Sequence, residues 1–123
     1  MEELVLGTME TRFAKVIWET APVTTAELVR RGAEDFGWKR TTTYTMLKRL
    51  CQRGLFSMEN SLVTVLVPRE EFLARRSEKF VNEAFNGSLP AFIAAFTRSR
   101  RLSQKDADDL QRLIDEYRKE ESL

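Results

Sequence analysis

The chain has no histidine and a single cysteine, Cys51, in 123 residues, and these two shortages remove several chemistries together. A structural zinc site takes about four ligands from Cys and His, so no metal is expected. An imidazole general base is excluded by the same count. One thiol cannot close an intramolecular disulfide, which fits a reducing compartment. With only five glycines and three prolines there is no phosphate-cradling glycine loop, and the carboxylates are scattered. An enzyme is therefore not expected, nor is a cofactor. The longest uncharged stretch, Ala84–Thr97, is interrupted by Gly87 and Pro90 and falls short of the ~20 apolar residues that span a bilayer. Glu2 and Glu3 stand where a signal peptide has basic residues, so the expectation is a cytoplasmic protein with no membrane insertion.

What is present is 42% hydrophobic and 32% charged residues, the balance of a soluble, helix-rich globular chain. The net charge of +1 argues against a general basic coat, so any nucleic-acid reader must rely on a local patch. Lys39–Met58 supplies one, with five cations (Lys39, Arg40, Lys48, Arg49, Arg53) and no acid. Thr43, Leu47, Leu50 and Gly54 recur there at helical spacing and can pack inward. Thr41, Thr42, Tyr44, Thr45 and Lys48 are then left facing outward. Short hydroxyls and long cations are the groups that reach base edges and phosphates.

The patterning around this stretch predicts helix, short connection, helix. A first helix is expected over Met9–Thr20, with Thr8 as N-cap, an apolar stripe of Met9, Phe13, Val16 and Ile17, and an end at Ala21-Pro22. Thr24-Thr25-Ala26-Glu27 is a capping-box signature for a second helix that buries Leu28, Val29 and Ala33 and stops at Phe36-Gly37. The third begins at Arg40–Thr42 and ends at Gly54, a helix-turn-helix spacing. Leu55–Met58 and Leu62–Val67 then read as two strands around a Glu59-Asn60-Ser61 turn, a hairpin positioned as a wing. Its tip carries no cation, so it is expected to be structural, packing Phe56 with Val63 or Val65.

Residues 69–123 turn helical: Glu70–Phe85, then Leu89–Arg98 with Pro90 in its first turn, then a helix opened by Ser103-Gln104-Lys105-Asp106. The fold class is thus mainly α with a small β-hairpin, a winged helix-turn-helix lobe over 1–68 and a helical lobe over 69–123. Leu73, Phe80, Leu89, Phe92, Ile93, Phe96, Leu110, Leu113, Ile114 and Tyr117 make more apolar surface than so short a lobe can hide. They are expected to form a homodimer interface. Trp18 and Trp38 are expected to be packing residues rather than a ligand clamp. Cys51 is expected to be half-buried, with Arg49 and Arg53 near enough to lower its pKa.

Val16-Ile17-Trp18 before Pro22-Val23-Thr24, Ala26-Glu27-Leu28, Gly37-Trp38 leading into Thr41-Thr42-Thr43-Tyr44-Thr45, Leu47-Lys48-Arg49-Leu50 and Arg53-Gly54-Leu55 form an ordered set. Together they resemble the BlaI/MecI/CopY (penicillinase-repressor) family of bacterial transcriptional repressors, most strongly over residues 9–68. The resemblance implies a homodimer that occupies an inverted-repeat operator on double-stranded DNA. By this reading the DNA-binding residues are Lys39, Arg40, Thr41, Thr42, Tyr44, Thr45, Lys48 and Arg49, on a recognition helix of about 40–53. The resemblance also implies a membrane sensor protease in one branch, which cuts an Asn-Phe dipeptide in the short apolar helix. The matching pair here is Ala95-Phe96. A second branch uses C-terminal cysteines that this chain lacks. The competing reading is a winged-helix protein-interaction module without DNA affinity.

Overall fold

The structure is a computed structural model, and it describes residues 6–122. The chain forms two compact units, one up to Lys79 and one from Phe80 onward.

The first unit opens with helix α1, Thr8–Thr20. Its N-cap is Gly7 rather than Thr8, because Glu10 reaches back and accepts the Gly7 backbone N–H through Oε1 at 2.9 Å. That bond satisfies a donor the helix start would otherwise strand. Phe13, Ala14, Val16 and Ile17 are buried along one face. Beyond the cap at Ala21 comes a two-residue strand, β1 (Val23–Thr24), which the sequence does not announce. Helix α2, Thr25–Phe36, starts under a side-chain cap, Thr24 Oγ1 accepting from the Glu27 N–H at 3.1 Å. It stops at Gly37, whose φ of +67° favours a residue without a Cβ. Along α2, Leu28 and Gly32 are buried, whereas Val29 is half-buried and Ala33 exposed. The inward stripe is therefore rotated from the expected one.

Helix α3, Arg40–Gln52, follows after three residues. Strands β2 (Phe56–Glu59) and β3 (Leu62–Val65) make the wing. Glu59 belongs to β2 and pairs with Leu62, so the turn itself is Asn60-Ser61, both with positive φ. The hairpin is also not a lone pair of strands. β1 joins it in the order β1-β3-β2, all antiparallel, with Val23 opposite Val63. Helix α4, Arg69–Phe85, adds its first turn to the same core through Phe72. Its neighbour Leu73 is exposed, because one step along a helix turns a side chain by roughly 100°.

The core of this unit is Phe13, Ile17, Leu28, Leu47, Leu50, Phe56, Val63 and Phe72, each essentially inaccessible to solvent. Around it the unit is a winged helix-turn-helix. Both tryptophans pack against this core. Trp18 lies between Phe56 and Phe72 at 5.3 and 5.4 Å, and Trp38 between Phe13 and Phe36 at 5.2 and 4.6 Å.

The second unit consists of the end of α4 followed by α5 (Leu89–Ser99) and α6 (Gln104–Glu121). Each of these two helices has a serine cap: Ser88 accepts from Ala91 N–H and Ser103 from Asp106 N–H. Phe80, Phe85, Phe92 and Phe96 form a chain of ring contacts at 5.6 to 6.4 Å. Neither α5 nor α6 has a single buried residue.

Candidate nucleic-acid interface

Two demands are met on opposite sides of α3. Thr43, Met46, Leu47 and Leu50 are buried and seat the helix in the core. Gly54, expected to join them, is exposed and turns the chain instead, with φ +82°. On the other side Lys39, Arg40, Thr41, Thr42, Thr45, Lys48 and Arg49 are exposed and Tyr44 is half-buried. All eight sequence-derived candidates thus lie on or beside one solvent-facing surface of one helix.

The electrostatics of that surface follow from what surrounds each cation. In α2, Arg30 is paired with Glu27 and Glu34, and Arg31 with Asp35. Those pairs hold the Glu27 carboxyl below its ordinary range, chiefly through the Arg30 hydrogen bond. In α3 the pattern is reversed. Among the described residues, Lys39, Arg40, Lys48 and Arg49 form no ion pair. The first turn of α3 contains no acid and no side chain caps it. The positive end of the helix dipole therefore adds to the side-chain charges there, an arrangement suited to a phosphate.

Two contacts order the long side chains. The Arg40 guanidinium lies over the Tyr44 ring, 5.3 Å from its centroid, a cation–π contact one helical turn apart. Arg49 Nη1 reaches the Met46 sulfur at 3.8 Å. The fifth cation of the stretch serves a different purpose. Arg53 approaches buried Glu10 at 3.7 Å, tying the end of α3 to the start of α1.

The wing contributes no charge of the matching sign. Its tip, Glu59-Asn60-Ser61, is turned to structural use: the Ser61 carbonyl accepts the Thr25 N–H at 3.0 Å, joining the tip to the start of α2. Cys51 is half-buried, and burial raises its pKa. The expected lowering by Arg49 and Arg53 does not occur: the shift is upward, and loss of hydration around the thiol is its cause. Among the described residues no group of three His, Cys, Asp or Glu side chains could hold a metal ion. No described helix is long and apolar enough to cross a membrane.

The features that composition could not reveal are positional. Glu10, Gly32 and Phe72 organise the helices behind the surface, yet a lone acid, glycine or phenylalanine carries no distinguishing signal in one sequence. Glu10 three residues after Gly7 was the one available cue, as half of a capping box.

Comparison with known proteins agrees with this geometry. A family model described as penicillinase repressor matches residues 6–116. The penicillinase repressor of Bacillus licheniformis is 24% identical over 113 residues, covering 89% of this chain and 88% of that protein.

Proposed function

Because the chain belongs to the penicillinase-repressor family, a family of transcriptional repressors, we propose that it represses transcription as a homodimer bound to an inverted-repeat operator. Residues 1–68 act as the DNA-binding domain and 69–123 as the dimerisation domain. The recognition helix is α3, lying in the major groove. Thr41, Thr42, Tyr44 and Thr45 meet base edges, where a hydroxyl can donate or accept and a threonine methyl can touch thymine. Lys39, Arg40, Lys48 and Arg49 neutralise phosphates and fix the register.

The observation that carries this reading is the two-sidedness of α3, whose inner face is fully committed to the core while its outer face holds four cations with no ion-pair partner among the described residues. A helix held so firmly at its back can present a fixed set of groups to a groove.

Dimerisation supplies what one copy lacks. A single winged helix reads few base pairs, and two at fixed spacing match a palindromic site. Leu73, Phe80, Leu89, Phe96, Leu113, Ile114 and Tyr117 are all more than a third exposed. Phe92, Ile93 and Leu110 are half-buried. A second copy covering these faces would complete their burial. Release follows if a sensor protease in the membrane cuts at Ala95-Phe96, both exposed on α5. The cut would separate α6 from the rest and remove Leu110, Leu113, Ile114 and Tyr117 from the dimer.

The test is enrichment from a pool of randomised duplexes, followed by footprinting of the winners. Protection of two symmetric half-sites, lost on mutating Arg40 and Lys48, is the expected result. No salt-dependent binding to any duplex would instead favour an interaction module with an acidic protein partner.

A further inference from the structure

The contact between α2 and α3 is closed by the smallest possible residue. Gly32 is buried, and a Cβ built on it would fall well inside van der Waals contact with Thr43 Oγ1, and 3.5 Å from both Cβ and Cγ2 of the same residue. Thr43 is 1% exposed, and its hydroxyl has no hydrogen-bond partner among the described residues. A buried hydroxyl without a partner is unfavourable, so this side chain is not held by polar satisfaction. It is held by shape. Its branched Cβ leaves one torsion to adjust, and turning Oγ1 aside moves the methyl within a filled core.

Gly32 has a second tie to the same region. Its carbonyl accepts the Trp38 N–H at 3.1 Å, inside the turn that delivers the chain to α3. Thr43 lies in the first turns of α3, between Thr42 and Tyr44, which face the other way. The spacing at this pair therefore sets how far the reading end of α3 stands out from α2.

We propose that Gly32 and Thr43 are a size-matched pair of positioning residues that fix the height and tilt of the first turns of α3, and so control base discrimination without touching DNA. The proposal rests on the reading of α3 as the groove-entering helix. Adding one methyl at position 32 shifts the first turn outward by about an ångström, since close-packed interiors do not absorb such a change. Phosphate contacts through long, flexible cations follow that shift, whereas short threonine hydroxyls do not.

The experiment uses the full-length chain and two probes: a duplex of about three helical turns enriched by the wild-type protein from a randomised pool, and its scrambled counterpart. Fluorescence anisotropy gives the ratio of the two affinities. Gly32→Ala is expected to lower that ratio by about tenfold, mostly through weaker binding to the enriched duplex, with helical circular dichroism retained. Gly32→Ala with Thr43→Ala, which removes Oγ1 and Cγ2 together, is expected to restore the ratio to within about threefold. Gly32→Ala with Thr43→Val keeps an atom in the Oγ1 position and is expected to stay defective. An unchanged ratio in Gly32→Ala, or equal ratios in the two double variants, overturns the pair. If Gly32→Ala does not fold, Thr43→Ala alone is compared with the Gly32→Ala, Thr43→Ala double variant. The double variant is expected to discriminate better because the added methyl refills the gap, and equality overturns the proposal. A wild-type protein that enriches no duplex overturns the groove reading and the pair with it. Discrimination by the wild type that Gly32→Ala retains overturns the pair alone.

Discussion

The indole Nε1 of Trp18 donates a hydrogen bond to the Val67 carbonyl oxygen at 2.9 Å, across 49 residues of chain. It fastens the last turns of α1 to the segment leaving the wing, while the ring itself is packed between Phe56 and Phe72. One side chain thus joins a helix, the sheet and the start of α4. Trp18→Phe keeps most of the packing but leaves a partly buried carbonyl without its donor. The expected loss is about 1–2 kcal/mol in chemical denaturation, against roughly 3–5 kcal/mol for Trp18→Ala. Equal losses in the two variants would mean that the hydrogen bond contributes nothing.

The proposed base-reading and phosphate-binding roles on α3 are separable by their salt response. Thr42→Ala should weaken binding to an enriched duplex by ~1–3 kcal/mol and relax specificity at one position. Lys48→Ala should weaken all duplexes alike and flatten the log–log salt slope by about one unit. Titrations at several salt concentrations distinguish the two. Equal losses for Thr42→Ala on enriched and scrambled DNA would remove it from the reading set.

Ile114 is 48% exposed on α6, so Ile114→Glu is tolerated by an isolated copy and disruptive only if a second copy covers the site. Sedimentation at micromolar concentration is expected to give a dimer for the wild type and a monomer for the variant, with operator affinity falling in step. A monomeric wild type at that concentration would refute the dimer.

Cys51 should behave as a packing residue. Because burial raises its pKa, little thiolate exists at neutral pH, and mild peroxide is expected to leave no adduct by mass spectrometry. The linked stability effect has a definite sign. The folded thiol holds its proton more tightly than the unfolded one, so its contribution is full below the unfolded pKa and is lost as pH rises through the folded value. Cys51→Ala should therefore flatten the alkaline limb of the stability profile, on top of a pH-independent loss from the packing it removes.

Much of this architecture was legible because the signals are local. Thr24 with Glu27, and Ser103 with Asp106, are helix starts that one residue type at one spacing reveals, and Gly37 is an equally local stop. The outward set on α3 follows from period alone, once Leu47 and Leu50 are taken as inward. The features that escaped depend on partners distant in the chain. Val23–Thr24 is a strand only because β3 offers it an edge, and two residues carry no alternation to detect. Phe72 and Leu73 are neighbours of similar hydrophobicity, and only the direction of approach of α4 decides which enters the core. Cys51 is a further case: the neighbouring arginines are visible in the sequence, but the hydration the thiol loses on folding is not.

The hairpin tip places a limit on how this lobe can change. Asn60 and Ser61 both occupy left-handed backbone, at φ 52° and 62°, where asparagine and glycine are tolerated and a long branched or cationic side chain is strained. A single substitution to lysine or arginine there would bend the loop as well as charge it, and would disturb the carbonyl that Thr25 relies on. A groove contact from positions 60 and 61 is therefore closed to simple mutational drift, and any widening of the sequence footprint has to arise at other positions of the polypeptide.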